Sequence, residues 1–308
     1  QMMPFPHGVP QRRQIIHSRP PMHNPQHVVV GRVNHNFAPH NQASAPARQV
    51  SHSHHGHNHS AQPAAPKPNV TMRIKTQSPD PSRGSGKRIL CYGDSLTAGL
   101  LGNWCAKFEP YAKRLSHLLQ SRVDHVGLCG WDTKQMVEAM DSPSSVDVKR
   151  VNWEPAGLRL ALTRAKEEND PYDVVIIMAG TNNLTTMPAS TNVANLVTLH
   201  SCAAEFGAKV VSVAVPRHKE LLNEPKRHVM ELKQAWEEVN QKLEAAVKAQ
   251  QERGVDIVFL DVHTRALSRA GPDAAVLFSS DGLHFSASGS RAFADTLHDV
   301  GRSVNLWN

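Results

Sequence analysis

"LCYGDSLTAG", residues 90–99, runs a short apolar segment straight into a glycine, an acid and a hydroxyl. Ile89, Leu90, Cys91 and Tyr92 have the content of a strand, and Gly93 breaks the run. Asp94 and Ser95 both favour the position just before a helix, so the stretch reads as strand, tight turn and helix start. A strand that hands over to a helix within a few residues is the unit from which parallel sheets are built. The fold therefore turns on whether the rest of the chain repeats that unit.

Upstream it does not. Residues 1–84 are rich in Pro, His, Gln, Asn and Ser and carry almost no sustained apolar periodicity. Such a composition buries too little apolar area to offset the entropy of ordering, which predicts a disordered arm over 1–84. Nine basic residues against the single acid Asp80 give the arm a charge of +8; the chain total is +7, so residues 85–308 sit at −1. The folded part thus has no electrostatic reason to bind nucleic acid. Within the arm, SHSHHGHNHS at 51–60 gathers His52, His54, His55, His57 and His59. Imidazoles at that density can chelate a divalent ion, and they are equally at home as solvated polypeptide.

Downstream the unit recurs. Apolar runs at 88–92, 123–128, 173–179, 209–215 and 255–262 alternate with helical patterns at 105–120, 131–140, 156–168, 190–206, 226–252 and 287–302. The runs are nearly continuous and rich in Val and Ile, as strands covered on both faces require. In 226–252, Val229, Leu232, Trp236, Val239, Leu243 and Ala246 recur at spacings of three and four, and Gly254 follows the end. The alternation predicts one α/β domain over 85–308 with a mostly parallel, right-handed, doubly wound sheet. In such a sheet ligand chemistry gathers at the carboxyl ends of the strands.

Small or polar groups follow four strand ends. They are Gly93-Asp94-Ser95-Leu96, Gly127-Leu128-Cys129-Gly130-Trp131, Gly180-Thr181-Asn182-Asn183 and, beyond the fifth strand, Asp281-Gly282-Leu283-His284. Ester hydrolysis by a serine needs a nucleophile, a base, a group that orients the base, and donors for the oxyanion. Ser95 fits the nucleophile, and its own N–H beside a helix start offers one donor. Asp281 and His284, three apart, let one turn carry both base and carboxylate. The Gly130 N–H and the Asn182 amide would complete the oxyanion hole. This scheme calls for no metal and no organic cofactor. Each piece alone has a plainer reading: Asp94 or Ser95 as a helix cap, Asp281 as a cap beside a surface imidazole, GTNN as an ordinary turn. Their common placement on one sheet edge favours the catalytic reading. Among competing imidazoles, His125 falls within a strand, His218 in a polar loop with Arg217 and Lys219, and His263 at a strand end. His284 is the expected base, and an unperturbed imidazole titrating near 6.5 implies activity that rises through neutral pH.

The segments GDSL (93–96), GLCG (127–130), GTNN (180–183) and DGLH (281–284) resemble, in order, the four sequence blocks of the SGNH, or GDSL-type, esterase and lipase superfamily. The resemblance implies a flavodoxin-like three-layer α/β/α sandwich with a five-stranded parallel sheet. It assigns Ser95 as nucleophile, Gly130 and Asn182 as oxyanion donors with the Ser95 N–H, His284 as base and Asp281 as its partner. The family often has Ser before the second-block glycine and Asp after the third-block asparagine. Here Cys129 and Asn183 stand there, which implies altered hydrogen bonding around the site rather than loss of activity.

The expected function is a serine ester hydrolase that forms an acyl-enzyme on Ser95. Loops at 97–110, 141–155 and 216–226 mix Trp104, Phe108, Trp153, Leu221 and Leu222 with charges, which favours a short acyl or acetyl group. Carbohydrate acetyl esters and lysophospholipids both fit as small-molecule substrates. The alternative is a catalytically idle binding module whose arm takes metal ions or anionic surfaces. Cys91, Cys105, Cys129 and Cys202 lack zinc-site spacing and are few for a disulfide framework, so a reducing, cytoplasmic setting is the expectation. The chain opens on Gln1 and leaves a leader open. No stretch approaches the roughly 20 apolar residues of a membrane span.

Overall fold

The computed structural model describes residues 86–102, 107–147, 149–150, 153–222 and 229–308. The arm over 1–84 with its histidine tract, Trp104, Cys105 and the start of the 226–252 segment lie outside the described residues.

Five strands, β1 (Ile89–Asp94), β2 (Val123–Leu128), β3 (Val174–Met178), β4 (Lys209–Val213) and β5 (Ile257–Leu260), form one parallel sheet in the order β2-β1-β3-β4-β5. Consecutive strands are joined by helical crossovers, as parallel pairing demands. The strand order reverses beside β1, between β2 and β3. That reversal opens a crevice at the strand ends where ligands bind in doubly wound sheets.

Alternation along β1 splits the core in two. Leu90 and Tyr92 face a layer made by α3 (Thr133–Glu138), α4 (Leu158–Glu167), α5 (Ala189–Glu205) and α6 (Met230–Glu252). Ile89 and Cys91 face α2 (Tyr111–Leu119), α7 (Val262–Ala270) and α8 (Ala287–Ser303). The result is a three-layer α/β/α sandwich. On the second face Tyr111 and Phe293 meet at a ring separation of 4.9 Å, and Phe285 continues the stack at 5.3 Å from Phe293.

The opposite edge of the sheet is tied by charge. Asp124 in β2 is fully buried; Arg88 reaches it at 3.3 Å and the Tyr172 hydroxyl donates to it at 2.9 Å. Satisfied in this way, a buried carboxylate holds the N-terminal ends of β1 and β2 in register.

Several sequence-based boundaries move. The helix expected over 105–120 begins at Tyr111, because Pro110 sets the helix entry and donates no N–H. The strand expected over 255–262 ends at Leu260: the Asp261 carboxylate accepts the Thr264 N–H at 3.1 Å and caps α7, a helix that the apolar run had masked. His263, expected at a strand end, therefore sits in the first turn of α7. β1 runs two residues past its expected end, so that Asp94 is at once the last strand residue and the cap of the four-residue α1 (Ser95–Ala98). Among the described residues no helix is long and apolar enough to cross a membrane.

Candidate active site

The nucleophile candidate is placed by local geometry. The Leu96 N–H donates to Asp94 Oδ1 at 3.0 Å, which starts α1 immediately at Ser95. Gly93 precedes them because β3 lies too close for any side chain: a Cβ there would stand 1.9 Å from the Met178 carbonyl oxygen. That same oxygen accepts the Thr97 hydroxyl at 3.3 Å, so α1 is anchored to β3. Leu100 N–H closes the turn on the Ser95 carbonyl at 3.1 Å. Ser95 is buried to 6% exposure at the carboxyl edge of β1.

The structure brings Ser95, His284 and Asp281 together. His284 Nε2 lies 2.9 Å from Ser95 Oγ, and His284 Nδ1 lies 2.7 Å from Asp281 Oδ2. The other carboxylate oxygen, Oδ1, accepts the N–H groups of Leu283 and His284 at 3.0 Å each. One acid thus orients the imidazole and folds the turn that carries it. The turn is held from below by Ser279, whose N–H donates to the His284 carbonyl at 2.8 Å and whose hydroxyl donates to Phe285 O at 2.8 Å. It is held from the side by the Lys219 N–H, which donates to Gly282 O at 2.8 Å. Burial pushes the Asp281 pKa up, but the backbone and ring hydrogen bonds from His284 and the Leu283 N–H outweigh it and leave it below the usual carboxylate value. Ionised, it fixes the proton of His284 on Nδ1 and leaves Nε2 to face the serine.

The oxyanion candidates come from the flanking strand ends. Register pairs Gly93 with Gly127 of β2 and with Met178 of β3, so the segments after these strands leave the sheet level with Ser95. Gly130 has φ of +77°, a left-handed conformation that glycine adopts freely, and its N–H carries no hydrogen bond among the described residues. The Asn182 amide donates to Trp131 O at 2.9 Å. A primary amide has two hydrogens, so one fixes the side chain beside Gly130 and the other is left to donate.

The two departures from the family pattern do structural work. Asn183 is fully buried, and its Oδ1 accepts the Thr133 N–H at 3.1 Å, joining the third block to the start of α3. The Cys129 N–H donates to Asp147 Oδ2 at 3.2 Å. Burial, reinforced by the Asp147 carboxylate, pushes the Cys129 thiol far up, so it stays protonated.

Asp147 and the buried Asn192 support the blocks but were invisible in the sequence as site residues. Asn192 donates to Gly180 O at 3.1 Å and accepts the Thr133 hydroxyl at 3.1 Å. Both act through contacts 12 to 59 residues away, with no local motif to mark them. Of the competing imidazoles, His125 stacks with Trp153 at 6.5 Å, and His263 Nδ1 accepts the Arg217 N–H at 2.9 Å. His218 faces the Asp281–His284 pair without bonding to it among the described residues.

Asp94 carries a second feature. It is fully buried, and only Oδ1 has a hydrogen bond; Oδ2 faces Thr181 unpaired. Burial raises its pKa to about 6 despite the Leu96 N–H, His284 and Thr181, all of which favour the ionised form.

The family model of the GDSL-like lipase/acylhydrolase family matches residues 91–292, which include all four segments. Among solved structures, the chain is similar to a GDSL-like protein from Parabacteroides merdae, with 16% identity and a TM-score of 0.50 over 70% of this chain and 96% of that one. It is also similar to the lipase/acylhydrolase from Enterococcus faecalis, with 18% identity and a TM-score of 0.47 over 72% and 97%. A family 3 carbohydrate esterase from Clostridium thermocellum shares 20% identity and a TM-score of 0.42 over 71% and 98%. No curated protein matches the chain.

Proposed function

Since this chain belongs to the GDSL-like lipase/acylhydrolase family, we propose that it is a serine ester hydrolase working through an acyl-enzyme on Ser95. The observation that carries the reading is the continuous chain Ser95 Oγ, His284, Asp281, with contacts of 2.9 and 2.7 Å.

In this reading His284 Nε2 takes the hydroxyl proton as Ser95 Oγ attacks the ester carbonyl. Asp281, already ionised, stabilises the imidazolium that forms. The negative charge on the carbonyl oxygen is met by the N–H groups of Ser95 and Gly130 and by the free hydrogen of the Asn182 amide. Collapse of the tetrahedral intermediate breaks the ester C–O bond, and His284 returns its proton to the departing alcohol. Water then enters, loses a proton to the same imidazole and attacks the acyl-serine, and the second collapse restores Ser95 and releases the acid.

A short acyl or acetyl group, on a carbohydrate or lipid alcohol, is the substrate class this reading favours. Phe108 and Trp153, two aromatics available to line an acyl channel, are engaged by the Arg150 guanidinium at 4.1 and 5.5 Å from their ring centres. Leu221 is buried in its own turn.

The test is a p-nitrophenyl ester series from acetate to decanoate, run on the protein and on Ser95→Ala. Turnover that is highest at the short end and vanishes in the variant supports the reading. Turnover that survives in Ser95→Ala overturns it. If no ester is turned over, labelling of Ser95 by a fluorophosphonate separates narrow specificity from an idle site.

A further inference from the structure

Beside the acid–base turn lies a cavity of about 440 Å³ whose lining includes Arg217, Lys219, Thr264, Leu267, Ser268 and Pro272. Its two charged lining residues are both cations, and neither makes an ion pair among the described residues. Among the described residues no acid lines it. Arg217 is the telling residue. Its backbone N–H is fixed on His263 Nδ1, its guanidinium lies 4.8 Å over the Trp236 ring, and its Nε is buried without an acceptor.

A guanidinium stacked on an aromatic face keeps its N–H edge free, and that edge matches a phosphate or carboxylate. Lys219 supplies a second, exposed charge from the facing turn (Lys219–Leu222), and its backbone is bonded to Gly282 of the acid–base turn at 2.8 Å. Hydroxyls at Thr264 and Ser268 stand on the α7 side; that of Ser268 donates to Thr264 O at 2.9 Å.

We propose that this cavity is a binding site for a tetrahedral oxyanion, a phosphate or sulfate group, held by Arg217 and Lys219 next to the acid–base turn. The group reaches the site either as the free ion or as part of an ester substrate whose carboxylic ester lies at Ser95. The first case stands without the hydrolase reading; the second rests on it.

The test is a calorimetric titration of inorganic phosphate into the full chain carrying Ser95→Ala, compared with the same chain carrying Lys219→Gln or Arg217→Gln as well. Saturable binding in the parent that weakens about tenfold or more in each added variant supports the site, the size expected for loss of one charge-assisted contact. No saturable binding at millimolar phosphate overturns it, as does binding unchanged in the variants, which would place the ion elsewhere. If Arg217→Gln fails to fold for want of its stack on Trp236, Lys219→Gln, at an exposed position, decides alone. A second arm identifies the source. With Ser95 intact, a kcat/KM preference for a phosphate-bearing over a neutral acetyl ester that disappears in Lys219→Gln identifies the group as part of the substrate. Equal kcat/KM for the two esters, with phosphate still bound, identifies the free ion.

Discussion

Asp281 spends its two oxygens on different tasks, and a single substitution separates them. In Asp281→Asn the amide oxygen can still accept the backbone N–H groups that shape the turn, but an amide nitrogen facing Nδ1 favours the wrong imidazole tautomer. Hydrolysis should fall by about three to four orders of magnitude in kcat while the thermal midpoint moves little, a pairing read by steady-state kinetics beside calorimetry. Asp94 should behave in the opposite sense. Its folded pKa of about 6 lies above the ordinary 3.8, so its contribution to stability is present below 3.8 and lost as pH rises through 6. Asp94→Asn keeps an oxygen for the Leu96 N–H and removes the buried charge; it should raise the thermal midpoint at pH 8 and leave it unchanged near pH 3. An unchanged midpoint at pH 8 would show that the carboxylate finds a partner when ionised. At this scale the sequence was legible wherever a residue sat in a block. Ser95, Asp281 and His284, whose side chains the fold brings together, and Gly130 and Asn182 could be picked out as candidates, whereas Asp147 and Asn192 could not, because their partners are distant in the chain.

Elements are placed as much by what they exclude as by what they contain. β1 and β3 approach so closely at Gly93 that adding one methyl group forces the strands apart. Gly93→Ala should therefore destabilise by more than the 1–3 kcal/mol usual for overpacking, and should lower hydrolysis even where the protein stays folded, since α1 hangs from the same Met178 carbonyl. At the other edge, Asp124→Ala should cost about 1–3 kcal/mol by leaving the buried Arg88 with only the half-exposed Asp170 as its charged partner, yet leave the kcat of the folded fraction intact. Comparing the two by denaturant melts and kinetics asks whether the edges are independent. The strands were readable because both faces are covered and the runs are apolar throughout. α7 was not, because Val262 and its neighbours continue the apolar run of β5, and only the Asp261 cap divides them. The start of α2 was missed for a similar reason: a periodic pattern says where a helix packs, and a proline says where it begins.

The molecule as a whole is set against acid. Burial holds His125 and His200 at about 4 and His263 at about 3, below the ordinary 6.5; Arg150 adds to this at His125, and Arg217 and His218 add to it at His263. An unfolded chain takes up those three protons as pH falls through about 6.5, while the native state refuses them until near 4, so stability should drop across that window. Asp94 opposes the trend between 6 and 3.8, one group against these three and His218, which burial also lowers. Thermal midpoints recorded from pH 7 to 4 should fall, and His200→Gln, which does not ionise, should flatten the slope. Both cores and the Ser95, His284 and Asp281 side chains lie within the described residues from 86 onward. Removal of residues 1–84 should accordingly leave the hydrolysis rate of a short ester unchanged, and a large loss would assign the arm a part in the reaction.

Ser95 and His284 touch at 2.9 Å although 189 residues separate them, one opening the first short helix and the other on the last turn before the final helix. On a ribosome adding about 5–20 residues each second, roughly ten to forty seconds pass between the emergence of the hydroxyl and that of the imidazole. Throughout that interval the nascent chain presents a serine with no base. On the proposed mechanism reactivity arrives only once the DGLH turn has been made, so any product terminated before that turn is born inert rather than partly active.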